Sequence, residues 1–313
     1  MNKLPWRIKW MQILMMLLLC FNACAVSARP IPKPTTIRAG LRSSPYGPQN
    51  GFPAPPYWLT AACSMASRFE HAIPELVWIV GTMESAEEPG PDNNFTGRTK
   101  LSFPSLGAEF PNIVFSGTDA NEAYLEQFDK IGCQVWLQVE PANADVGTLI
   151  DLVMNRYGKH PCVIGFGIDV EWFRWSRHNK EGAAVDDALA LAWSERLRAH
   201  NPKYQLFLKH WLEAKMPPNY RQSLVFINDS QQFTKLAQMQ NDFEQWGKTF
   251  FPAPVGFQFG YPDDRTWWKQ LGDPPMDIGK ALLSSIPNTS DLIWVDFTME
   301  EIWPLTAAVQ KKE

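Results

Sequence analysis

From Tyr57 onward the chain repeats one pattern: a short apolar run, a polar cluster, then apolar residues at helical spacing. Eight runs read as strands, at residues 76–81, 112–115, 134–139, 163–170, 204–208, 223–227, 255–259 and 291–295. Helical spacing follows at 121–131, 146–157, 184–200, 231–246 and within 264–285, while the fifth run is followed only by a turn-rich stretch. Strands alternating with helices predict a parallel sheet. Eight such units predict an α/β chain folded as one (β/α)8 TIM barrel over residues 58–313. The alternative is an open doubly wound sheet, but no G-x-G-x-x-G or Walker A pattern supports a nucleotide-binding version.

The segment before Tyr57 does not share this pattern. Residues 29–57 are rich in Pro, Gly and Ser without an apolar period, and read as an irregular leader. Residues 1–28 read as a signal peptide: Lys3, Arg7 and Lys9 precede an apolar stretch at 11–21 and the small-x-small triplet Ala23-Cys24-Ala25. The expected location is therefore secreted or periplasmic. Lipoprotein anchoring at Cys24 is the alternative, although Phe21 and Asn22 fit a lipobox poorly. No later segment is long and apolar enough to span a membrane.

Composition narrows the partners. A hydrophobic content of 45% supplies a sizeable core, and a net charge of −4 without a basic block gives no reason to expect nucleic acid. Fourteen Trp residues suit a carbohydrate, whose C–H faces stack on flat rings. Beyond residue 28 three cysteines remain, Cys63, Cys133 and Cys162. An odd count argues against a disulfide framework. Cys133 and Cys162 precede two neighbouring expected strands, so a single bridge and two buried free thiols both fit. Asn94, Asn228 and Asn288 begin glycosylation sequons.

In a barrel of this kind the active site forms at the C-terminal strand ends. Those ends carry Glu84, Asp119, Gln138, Glu140, Asp169, Glu171, Lys209, His210, Trp211, Asp229, Gln258, Tyr261, Asp263, Asp264 and Asp296. The opposite ends carry Pro74, Pro111, Gly132, Pro161 and Pro254. Polar groups are thus concentrated on one face. Asp119, Asp229 and Asp264 each also fit a helix cap. Glu140, Asp169, Glu171 and Asp296 directly continue apolar runs. On an extended strand Asp169 and Glu171 would face one side, roughly 7 Å apart. Carboxylates crowded in a partly desolvated mouth repel, which raises at least one pKa and leaves an acid beside a base. Glycosidic cleavage needs such a pair. Trp172, Phe173, Trp175, Trp211, Tyr261, Trp267 and Trp268 are candidates to line a sugar subsite, with helix–barrel packing the alternative for Phe173, Trp267 and Trp268.

The segment Gly165-Phe-Gly-Ile-Asp-Val-Glu171 resembles the fourth-strand signature of barrel glycoside hydrolases, both the chitinase type and the family 25 muramidase type. The resemblance covers about nine residues plus the barrel pattern. It implies Glu171 as general acid with Asp169 as its partner; by its place at the neighbouring strand end, Glu140 is the alternative catalytic partner. Gln138, Trp172, Lys209, His210, Trp211, Asp229, Gln258, Tyr261 and Asp296 would then contact substrate, with no cofactor or metal. The chain departs from the chitinase pattern at Gly167 and at Phe226-Ile-Asn-Asp229. It departs from the muramidase pattern at Val80-Gly81-Thr82, where no Asp stands. The hydrolases with Asn-Glu on strand four and Glu on strand seven do not fit Val170-Glu171 and Gln258. Three rivals stay open: an enolase-like Mg²⁺ site, a Schiff-base lyase using Lys209, and a non-catalytic carbohydrate-binding barrel.

Overall fold

The computed structural model describes residues 36–85, 94, 96–105 and 107–305; the expected signal peptide, with Cys24, lies outside the described residues. The strands are β1 (Arg38–Ser43), β2 (Ile73–Ser85), β3 (Gly97–Leu101), β4 (Ile113–Phe115), β5 (Gln134–Val139), β6 (Val163–Asp169), β7 (Gln205–Lys209), β8 (Leu224–Asn228), β9 (Val255–Phe259) and β10 (Thr289–Trp294). Parallel pairing runs β1–β2–β5–β6–β7–β8–β9–β10 and returns from β10 to β1, so eight strands close a barrel. Around it lie α1 (Pro55–Ala66), α2 (Glu122–Asp129), α3 (Val146–Tyr157), α4 (Asp187–His200), α5 (Leu236–Phe250), α6 (Arg265–Trp268), α7 (Pro274–Ser285) and α8 (Met299–Ile302).

Two strands differ from the sequence expectation. The first barrel strand is β1, which lies inside the segment read as an irregular leader, and α1 begins there too. The run at 112–115 is not in the barrel. It forms β4, which pairs with β3, and β3 pairs antiparallel with the long β2. β1 escapes an apolar reading because its inward positions, Arg38, Gly40 and Arg42, are not hydrophobic. Its outward residues, Ala39 and Leu41, join the core under the helices.

The same alternation builds every barrel strand. Leu224 and Phe226 of β8 pack outward, while Val225 and Ile227 pack inward with Val77, Trp136, Phe207 and Ile293. Parity then places Gln138, Asp169, Lys209 and Gln258 inside the barrel at its C-terminal end. At the N-terminal end Arg38 holds Asp291 at 2.7 Å, and Trp136 Nε1 donates to Asp291 at 3.3 Å. Burial and Asp291 push the neighbouring Glu75 carboxyl well up.

Gly165 and Gly167 make room for the interior rings. A Cβ on Gly165 would lie 2.5 Å from the Trp136 ring, and one on Gly167 would lie 2.0 Å from the Phe207 ring. Cys133 and Cys162 are buried free thiols. Asn228 and Asn288 are buried, so neither sequon is open in the folded chain. Among the described residues no helix is long and apolar enough to cross a membrane.

Candidate active site

β6 ends at Asp169, and Val170–Trp172 then turn in a single 3-10 turn. Glu171 is therefore presented by a turn, and the strand parity expected for Asp169 and Glu171 does not extend to it. The turn carries Glu171 and Trp172 to the rim of a cavity of about 320 Å³. Glu140, Asp169, Lys209, Asp229 and Tyr261 share this lining, joined by Arg42, Tyr46, Met83, Gln231 and Phe297.

The polar groups of the floor are bound to one another. Asp169 and Lys209 are register partners on β6 and β7, and Lys209 Nζ lies 3.0 Å from Asp169 Oδ2. Lys209 also donates to Asp229. Gln138 Nε2 donates to the same Asp169 oxygen at 3.3 Å. Burial works against the Lys209 charge, but Asp169 and Asp229 outweigh it and hold its pKa well above the usual lysine value. A charged ammonium lacks the lone pair a Schiff base needs. Burial raises the Asp169 carboxyl, with Lys209 opposing it.

Glu140 follows β5 directly. Its carboxylate accepts from the Tyr46 hydroxyl and, at 2.7 Å, from the Met83 backbone N–H. Burial raises its pKa, while those two donors, Arg42 and Lys209 pull it back. Glu171 is the exception in this network, since it makes no hydrogen bond or ion pair to a described residue. Burial pushes its carboxyl up to about 7; Lys209 opposes this, and Asp229 and Glu140 add to it. An acid that titrates near neutrality thus stands beside a second carboxyl whose two oxygens each accept from a donor.

Other expected contacts lie elsewhere. Asp296 is buried beneath the mouth, where it accepts from Arg42 at 2.7 Å and from Ser44 Oγ at 2.6 Å. Gln258 is fully buried and accepts from the Tyr261 hydroxyl at 3.3 Å. Gln138 is equally buried, beneath Asp169. His210 donates through Nε2 to the Glu181 carbonyl at 3.0 Å, and its Nδ1 accepts from Leu212 N–H at 2.8 Å. That bonding describes a neutral ring, and burial pushes its pKa down to about 4. Trp211 packs against His210 with the two rings tilted by 32°, and lies outside the cavity lining.

Asp119 holds the start of α2 through Asn121 and Glu122 N–H, as a cap does. Asp264 instead accepts from Phe233 N–H, and Asp229 is taken by Lys209. Phe173, Trp267 and Trp268 are buried in the packing. Arg42, Tyr46 and Phe297 carry no sequence signal of their own. Arg42 lies 4.8 Å from the Phe297 ring centroid and 5.7 Å from that of Tyr46. Among the described residues no group of three or more His, Cys, Asp or Glu is placed to hold a metal ion.

No family model and no curated protein matches the chain. Among solved structures it is similar to an intracellular xylanase from Thermoanaerobacterium saccharolyticum. That likeness has 10% identity, covers 87% of this chain and 89% of the other, and has a TM-score of 0.41. A psychrophilic glycoside hydrolase family 10 endo-β-1,4-xylanase gives 10% identity, 83% and 86% coverage and a TM-score of 0.41. A β-glucuronidase from an uncultured Clostridium gives 10% identity and a TM-score of 0.37, covering 55% of this chain; the chain spans 35% of that protein's length. The barrel rests on its own strand pairings.

Proposed function

We propose that the chain hydrolyses glycosidic bonds, with Glu171 as general acid and Glu140 as its carboxyl partner. The observation that carries this reading is the contrast between the two carboxyls in one mouth. Glu171 has no partner among the described residues and titrates near 7, whereas donors brace both oxygens of Glu140. Cleavage calls for a proton on the leaving oxygen and a negative charge facing the oxocarbenium-like centre. Asp169, Lys209 and Asp229 form a buried clamp that sets the field around Glu171 rather than exchanging protons with substrate. Trp172 and Tyr46 offer ring faces at the rim.

The N-terminal pattern supports export to a secreted or periplasmic location, where a glycan polymer would be met. The test is release of new reducing ends from a glycan panel by the native protein beside Glu171→Gln. Turnover lost in the variant supports the reading. Turnover unchanged in the variant removes Glu171 from the chemistry.

A further inference from the structure

A second cavity, of about 690 Å³, lies beside the mouth. Adjacent residues of two segments line one or the other. Ser44 and Pro45 line the second and Tyr46 the first; Thr82 lines the second and Met83 the first. The two cavities therefore adjoin at the ends of β1 and β2, the second lying toward α2.

The second cavity has the makeup of a sugar site. Phe52, Trp78 and Tyr124 supply rings, with Lys100, Ser102 and Asp119 as polar neighbours. Phe52 stands 41% exposed although it touches Trp58, Trp78 and Tyr124 at centroid distances of 5.4 to 5.6 Å. Tyr46, on the same loop between β1 and α1, stands 47% exposed over the mouth. These are two of the five exposed large hydrophobic residues among the described residues. An exposed ring costs solvation, and these two, one at each of two adjoining cavities, offer apolar faces that a bound sugar would cover.

Charge restricts what can cover it. Arg42 and Lys209 are each already paired with carboxylates, and the mouth holds Glu140, Asp169, Glu171 and Asp229. In the second cavity Asp119 is bound by Arg156, and Lys100 lies 3.5 Å from Glu84. Among the described residues lining the two cavities each cation already faces a carboxylate, and in the mouth carboxyls outnumber cations, which disfavours a uronate. Resting on the hydrolase reading, we infer that the substrate is a neutral polysaccharide, with sugar units stacked on Phe52 on one side of the scissile bond.

The test compares native protein, Phe52→Ala and Phe52→Tyr, each checked by thermal melting. The substrates are soluble β-glucan, xylan, mannan, alginate and pectate, an oligosaccharide ladder of the neutral glycan cleaved, and an aryl monoglycoside of its sugar. The native kcat/KM is expected to rise with chain length. Phe52→Ala should lose about tenfold or more on long chains and little on the aryl glycoside, with Phe52→Tyr restoring the length dependence. An active native protein whose length dependence survives Phe52→Ala overturns this inference alone, as does cleavage confined to alginate or pectate. A native protein that cleaves none of the substrates removes the hydrolase reading and this inference with it.

Discussion

Lys209 is the in-register partner of Asp169, and its ammonium lies 3.0 Å from the Asp169 carboxylate at the floor of the barrel mouth. Both side chains point inward by strand parity, and Lys209 also takes Asp229. One buried cation therefore serves two carboxyls and lowers the pKa of a third, Glu171.

Replacing Lys209 by Met leaves two buried carboxyls without their cation. The expected loss of stability is about 3–5 kcal/mol, measured by urea unfolding near neutral pH. Lys209 lowers the Glu171 pKa, so in any folded variant that pKa rises above 7. The alkaline limb of the activity profile should then move to higher pH. An unmoved limb would show that Lys209 does not set the acid.

Glu171 also has a stability signature. Its folded pKa of about 7 stands above the usual glutamate value because burial penalises the charge. Stability from the protonated form is full below the unfolded pKa and is lost as pH rises through the folded one. Between those values the native protein should lose at most about 3 kcal/mol from this group. Glu171→Gln does not titrate, so its stability relative to native should grow from pH 5 to pH 8. Parallel denaturation curves of the two proteins check this.

Tyr46→Phe removes a donor that favours the Glu140 anion. The Glu140 pKa should rise, moving the acidic limb of the rate profile upward and narrowing the bell. Tyr46 is half-exposed, so the melting temperature should change little. A pH series of kcat/KM on any cleaved glycan measures the shift.

Gly167→Ala drives a methyl into the Phe207 ring, which sits 2.0 Å from the position of the new Cβ. A cost of about 1–3 kcal/mol is expected from this overpacking. Phe207→Ala should partly relieve it in the double variant, a coupling visible in a double-mutant cycle. The same contact explains why the chain carries Gly where the chitinase-type signature carries Asp: the Phe207 ring occupies that space.

Glu171, Asp169 and Glu140 were legible because each continues an apolar run, so their place at a strand end followed from the barrel alone. His210, Asp296 and Gln258 share that signal but are held by Glu181, Arg42 and Tyr261, and local pattern carries no information about those partners. β1 was illegible for the same reason. Arg38 and Arg42 face inward because Asp291 and Asp296, more than 250 residues along the chain, neutralise them there. Without β1 the expected barrel borrowed residues 112–115, which pair outside it. Tyr46 and Phe52 lie in a Pro- and Gly-rich loop with no period, and closure of the barrel gives them their place.

The central claim is that Glu171 donates the proton to the leaving group. Its most direct measurement compares native protein and Glu171→Gln on an unactivated glycan and on an aryl glycoside with an acidic phenol. An acidic phenol departs without protonation. The account predicts a loss of about 10²–10⁴ in kcat/KM on the glycan, a much smaller loss on the aryl glycoside, and disappearance of the limb near pH 7. Equal losses on both substrates, or none on either, would contradict it.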